Sequence, residues 1–224
     1  MTILKLHGHP FSSYTWKALI ALYEKDLPFE LLNVEDDHSA NPEMPGRLRQ
    51  LWPPNKFPVL EDGDKVLIES SILIEHLDLA YPKTKRLIPS DPQAALDVRF
   101  MDRVFDNHVM ANMQAIVGEH LPFITAAPDP MRLERAKDAL STIYAWLDEK
   151  LPEDGWACGD EFTLADCAGA PALFYADWAY PIPQELTRVT AYRARALARP
   201  SVARAVDGGR PYRHYWTLGP TDRD

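Results

Sequence analysis

The sequence predicts an α/β unit followed by an all-α unit. Residues 1–81 would form an N-terminal domain with a mixed sheet, residues 82–92 a linker, and residues 93–224 a helical domain. Three observations carry this division. Strand and helix signals alternate through the first 81 residues, which implies parallel pairing, with a terminal hairpin adding an antiparallel edge. PKTKRLIPSDP (82–92) contains three prolines and reads as a linker. Beyond it run long apolar repeats at helical spacing and no convincing strand.

The elements follow in order. In TILKLHG (2–8), Ile3, Leu4 and Leu6 flank Lys5, which suits a strand with one mostly buried face, stopped by Pro10. Trp16, Leu19, Ile20 and Tyr23 then recur at helical spacing behind Ser12 and Ser13, and Ser is a preferred N-cap. A helix is expected over about 13–25. PFELLNV (28–34) reads as a strand, EDDHSANPEMPG (35–46) as a loop and RLRQLW (47–52) as a short helix. In NKFPVLEDGDKVLIESS (55–71), two short strands flank the turn pair Asp62-Gly63. Pro58 lies inside the first of them, where it removes a ladder donor. Glu69-Ser70-Ser71 then precedes the helix SILIEHLDLAY.

In the second half, one helix is expected over 92–120, with Leu96, Phe100, Val104 and His108 on one side. Another covers 131–150 through Leu133, Ala136, Leu140, Ile143 and Leu147, a third starts at Thr163, and more helix follows Pro183. Thr163 and Asp166 have the spacing of a capping box, each side chain reaching the other's amide, which is a folding signal.

Bulk properties narrow the function. The chain has 224 residues, 46% apolar and 25% charged, with a formal net charge of -9. Such a field repels nucleic acid and anionic lipid, and no apolar stretch approaches the roughly 18–20 residues of a membrane span. MTILKLHGHPFSS has no signal-peptide pattern, and Cys158 and Cys167 form no CxxC pair, so a cytoplasmic protein with reduced thiols is expected. GxGxxG, GxxxxGK, HExxH and GxSxG are absent. His7 and His9 lack further clustered ligands, so no metal centre is expected. What remains is two helix starts beside a sheet, at Ser12-Ser13 and Glu69-Ser70. Helix starts at the carboxyl ends of strands present free amides and favour an anion; an arbitrary serine there is usually no more than a cap.

HPFSSYTWKALIALYEKDLPFE, NKFPVLEDGDKVLIESSILIEHL and FTLADCAGAPALF together resemble the cytosolic glutathione S-transferases. The match spans both halves of the chain in the right order. SSYTWK is similar to the zeta pattern SSCSWR, departing at Tyr14, Thr15 and Lys17, and the whole looks like a bacterial, serine-type branch with a zeta- or theta-like start. The resemblance implies a thioredoxin-like domain, a helical domain, a homodimer, and glutathione as co-substrate. It implies a cis bond before Pro58, with the main chain of Phe57 pairing with the extended tripeptide. Glu69 and Ser70 then suit the γ-glutamyl ammonium and carboxylate, and Lys56 the glycyl carboxylate. Ser12 would donate toward sulfur, with Ser13 the alternative and Tyr14 a third. A thiol of pKa about 8.5 is roughly 3% ionised at pH 7; lowering it by about two units gives roughly 75%, for about 2.7 kcal/mol. Phe11, Tyr14, His108, Asn112 and Met113, with Tyr175 or Trp178, are expected to hold a small electrophile. The activity implied is a glutathione transferase. Isomerisation, dehalogenation or a weakly catalytic interaction module stand as alternatives.

Overall fold

The computed structural model describes residues 3–37, 46–121, 124–219 and 222–224. The strand β1 (Leu4–Gly8) buries Leu4 and Leu6 and leaves Lys5 outside, as its alternation predicts. It pairs in parallel with β2 (Phe29–Asn33), Leu4 opposite Phe29 and Gly8 opposite Asn33. The hairpin strands β3 (Val59–Asp62) and β4 (Lys65–Ile68) close on Asp62 and Lys65, with Gly63 at φ 60° in the turn. Strand order is β2-β1-β3-β4. The sheet is more antiparallel than the alternation implies, because β3 also runs against β1. The chain between β2 and β3 enters the sheet from the far end, a direction that hydrophobic period does not encode. Of the loop expected over 35–46, residues 38–45 lie outside the described residues.

Helix α1 (Ser13–Glu24) is buried from Thr15 to Leu22. One side packs on α3 (Ser70–Ala80), and the other on α7 (Leu164–Ala179) and α9 (Pro200–Gly209) of the helical half. The core is thus continuous across both halves. Between them stand the short α2 (Arg47–Leu51), α4 (Pro92–Val104), α5 (Ala111–Gly118), α6 (Pro130–Lys150) and α8 (Thr187–Leu197). Gly169 on α7 admits the Tyr192 hydroxyl and the Phe105 ring to 2.7 and 2.9 Å of where a Cβ would stand. The capping box at Thr163 is present. The Asp166 carboxylate accepts from the Thr163 amide (2.8 Å), the Ala157 amide (2.8 Å) and the Tyr192 hydroxyl (2.7 Å).

The long helix expected over 92–120 needs correction. It carries a π-helical stretch, Phe105–Met110, between α4 and α5. Leu96 and Phe100 are 58% and 54% exposed, whereas Ala95, Val98, Met101 and Phe105 form the buried stripe. Two stripes one residue apart fit the same apolar spacing. The π turn then rotates everything after it by about 100° relative to an unbroken helix.

Candidate functional site

The loop between β1 and α1 is held rigidly. The Ser12 amide donates to the His9 carbonyl (2.9 Å), the Trp16 indole to the Pro10 carbonyl (2.5 Å) and the Tyr175 hydroxyl to the Phe11 carbonyl (2.9 Å). Ser12 is the N-cap of α1, and its Oγ accepts from the Thr15 amide at 3.3 Å. A capping serine spends only an oxygen lone pair, so its hydroxyl proton is left to point at a ligand. The amides of Ser13 and Tyr14 precede the first intrahelical bond, from Trp16 to the Ser12 carbonyl (2.8 Å), and carry the positive end of the helix.

A second helix start faces the first. The Phe57–Pro58 bond is cis, as the resemblance implies. Past the hairpin, Glu69 is the N-cap residue of α3 at φ 66°, ψ 113°, a conformation that non-glycine residues rarely adopt. Its carboxylate makes no capping hydrogen bond, so it stands exposed and uncommitted to its own helix. The first-turn amides of α3 are equally unspent. Ser70 is buried beside them.

The third wall comes from α4 and the π stretch. Lys17, buried on α1, reaches Asp102 at 2.5 Å, Asp106 at 2.7 Å and the Ser71 hydroxyl at 2.8 Å. Arg103 binds the same two carboxylates (2.6 and 2.7 Å) and Ser71. Two cations and two carboxylates therefore balance, and they tie the sheet half to the helical half. Burial raises the Asp106 carboxyl above its ordinary range, against the pull of Lys17. Burial pushes the Tyr14 phenol up to about 12, with Asp106 acting in the same direction, so Tyr14 is a neutral donor at physiological pH.

These walls enclose a cleft of about 530 Å³. Ser12, Lys56, Phe57, Pro58, Glu69 and Ser70, all expected in the site, line it together. Tyr14 lines it too. Ser13 does not; it is the first helical residue and turns inward, 7% exposed. Phe11 packs edge-to-face on Tyr175 (5.4 Å), and Tyr175 and Trp178 are core residues over Phe174. His108, Asn112 and Met113 are also absent from the lining. His108 is exposed, Asn112 donates to the His108 carbonyl (2.6 Å), and Met113 is buried in the core. Arg103 from the end of α4, Asp106 and Asn107 from the π stretch, and Gln114 beyond it line the cleft instead. The sequence reading missed these four, along with Trp52, Asn55 and Ile68. A signal existed in MDRVFDNHVM, where three charges interrupt an apolar helix. A second depression, about 370 Å³, is lined by Asp177, Arg193, Arg223 and Asp224 and contains none of the expected residues.

Among the described residues, no group of three His, Cys, Asp or Glu side chains is placed to hold a metal ion, and no helix is long and apolar enough to cross a membrane. Residues 6–85 match the model of the glutathione S-transferase N-terminal domain, and residues 130–195 that of the glutathione S-transferase C-terminal domain. Glutathione S-transferase 3 of Zea mays is 32% identical over 178 residues, 77% of this chain and 79% of that protein. A glutathione S-transferase of Hyoscyamus muticus is 28% identical over 214 residues, 91% of this chain and 98% of that protein. Among solved structures, glutathione S-transferase III in its apo form superposes with a TM-score of 0.77 at 27% identity, covering 92% of this chain and 96% of that one. A glutathione S-transferase from Methylobacillus flagellatus with glutathione bound gives 0.77 at 25% identity, over 90% and 98%. A thioredoxin-like sheet domain followed by an all-helical domain is thus shared with these proteins, and the chain belongs to the glutathione S-transferase family.

Proposed function

We infer that the protein is a serine-type glutathione transferase: it binds glutathione along the cleft, holds its sulfur as thiolate and delivers it to an electrophilic carbon. The observation that carries this reading is the pairing of an unspent Ser12 hydroxyl proton at one helix start with an uncommitted Glu69 carboxylate at the other. Glutathione has a thiol in its middle and an ammonium and carboxylate at its γ-glutamyl end. Glu69 suits the ammonium; Ser70 and the first amides of α3 suit the carboxylate. The main chain of Phe57 suits the cysteinyl backbone, and Lys56 the glycyl carboxylate. Ser12 and the positive end of α1 stabilise the thiolate. Ser13, turned inward, is the weaker candidate for that role.

A homodimer fits the surface. Ile72 and Leu79 on α3 and Leu96 and Phe100 on α4 are exposed, and the Glu75–Arg99 ion pair (2.7 Å) joins the two helices between them. Large apolar side chains left exposed on two joined helices are a common mark of an interface.

The test is a thiolate absorbance titration of the glutathione complex, followed by turnover of a panel of electrophiles. A bound-thiol pKa near its solution value would sink the reading. Firm glutathione binding with turnover of no electrophile would favour an interaction module instead. The intact set of Ser12, Lys56, Glu69 and Ser70 favours the enzyme.

A further inference from the structure

Ser12 ends a turn whose amides are all taken by one residue. Pro10 has no N–H, so the backbone donors between His9 and Ser13 are those of Phe11 and Ser12. The Ser12 amide donates to the His9 carbonyl (2.9 Å), and the Phe11 amide to His9 Nδ1 (3.1 Å). A backbone N–H can only donate, so Nδ1 carries no proton and the ring proton sits on Nε2. Nε2 donates in turn to Glu35 Oε1 at 3.2 Å. The same oxygen accepts from the Tyr215 hydroxyl, a bond that draws the Glu35 carboxyl below its ordinary range. The His9 ring stands edge-on to Tyr212 (5.0 Å) and Tyr215 (5.5 Å) of the 3₁₀ segment Arg210–Tyr215. Asn33, the last residue of β2, donates to the Tyr212 hydroxyl (3.2 Å). The imidazole is thereby fixed in place and in tautomer from two sides.

We propose that His9 is a positioning residue for sulfur activation: its bare Nδ1, by holding the Phe11 amide, sets the turn that presents the Ser12 hydroxyl to the cleft. The proposal rests on Ser12 as the donor to sulfur. His9 is not among the residues lining the cleft, so it acts through the turn and not on the ligand. A hydrogen bond to sulfur depends on distance and angle, and a hydroxyl displaced by about 1 Å loses most of its effect. Glu69 and Ser70 stand on another element, so the hold on the γ-glutamyl end is independent of this turn. The geometry also says which ring nitrogen matters. An asparagine side chain accepts from the amide two residues on, as His9 Nδ1 does here. Glutamine carries its amide one carbon further out, toward Glu35 and away from the Phe11 amide. Phenylalanine keeps the ring against Tyr212 and Tyr215 but has no acceptor.

The experiment measures the pKa of bound glutathione by thiolate absorbance in the wild type, His9→Asn, His9→Gln, His9→Phe and Ser12→Ala. Isothermal titration with S-methylglutathione, which has no thiol proton, reads the remaining contacts. His9→Gln and His9→Phe should each raise the thiol pKa by at least about half a unit, a loss of about threefold in thiolate below it. Their affinity for S-methylglutathione should stay within about twofold of wild type. His9→Asn, which restores the acceptor, should keep the wild-type thiol pKa. In a Ser12→Ala background, His9→Gln should raise it no further, since both changes act through one hydroxyl. Either of the two acceptor-less variants suffices if the other does not fold. A wild-type thiol pKa in them, with Ser12→Ala raising it, overturns the proposal and leaves Ser12 as the donor. An equal rise in His9→Asn, or full additivity with Ser12→Ala, overturns it as well. A wild-type thiol pKa in Ser12→Ala removes both readings.

Discussion

Glu69 separates stability from function. At φ 66° and ψ 113° it occupies backbone space costing a side-chain-bearing residue about 1–3 kcal/mol. Glycine enters that region freely but loses about 0.5–1 kcal/mol more chain entropy on folding. The Glu69 carboxylate makes no capping bond, so removing it sacrifices nothing in its own helix. Glu69→Gly should therefore stabilise the folded chain by about 1 kcal/mol, and in a protein of this size that is about 2–4 °C in melting temperature. The same change deletes the proposed partner of the γ-glutamyl ammonium. A charge-assisted hydrogen bond is worth about 1.5–3 kcal/mol, so glutathione affinity should fall about 10- to 150-fold. Glu69→Gln keeps the backbone strain and removes only the charge; it should lose affinity without gaining stability. Isothermal titration with glutathione and thermal unfolding of the three proteins read both quantities. A destabilised Glu69→Gly would show that the strain is not relieved by glycine. Wild-type affinity in both variants would remove Glu69 from the binding site.

Further expectations concern sulfur, acid and the core. Ser12→Ala should raise the pKa of bound glutathione by more than a unit in thiolate absorbance, while Ser13→Ala should leave it in place; the reverse pattern would move the donor one residue along. Burial works to raise the Glu24 carboxyl, but hydrogen bonds from Arg199, Lys85 and Ser201 (2.5 Å each) overrule it and hold the group at about 2 instead of 4.5. A depressed folded pKa adds stability above the unfolded value that disappears as pH falls toward the folded one. Glu24 should thus contribute at most about 3 kcal/mol above pH 4.5, lost between about pH 5 and 2. Urea midpoints of wild type and Glu24→Gln should converge over that window; a constant gap would contradict the linkage. Asp166→Ala leaves the buried Tyr192 hydroxyl and the Thr163 and Ala157 amides without their acceptor. It should cost at least about 3 kcal/mol in denaturant unfolding, and a loss below 1 kcal/mol would mean that water replaces the carboxylate.

The features readable along the chain were local. The helix starts at Ser13 and at Leu164, the Asp62-Gly63 turn and the strand alternation around Lys5 each depend on a few neighbouring residues, so each could be read in the chain. Several cleft-lining residues were also legible, because Ser12, Phe57, Pro58, Glu69 and Ser70 lie in short contiguous stretches that carry the family resemblance. Tertiary structure decided the rest. The choice of Ser12 over Ser13 at the cleft, the exposure of Leu96 and Phe100, and the arrival of Arg103 and Asp106 beside Tyr14 depend on which way a helix is turned. Apolar spacing fixes a helix but leaves its rotation ambiguous by a residue. Here, a π turn and a Lys17-centred ion cluster resolved that ambiguity through contacts more than 80 residues apart in the chain, where no local pattern reaches.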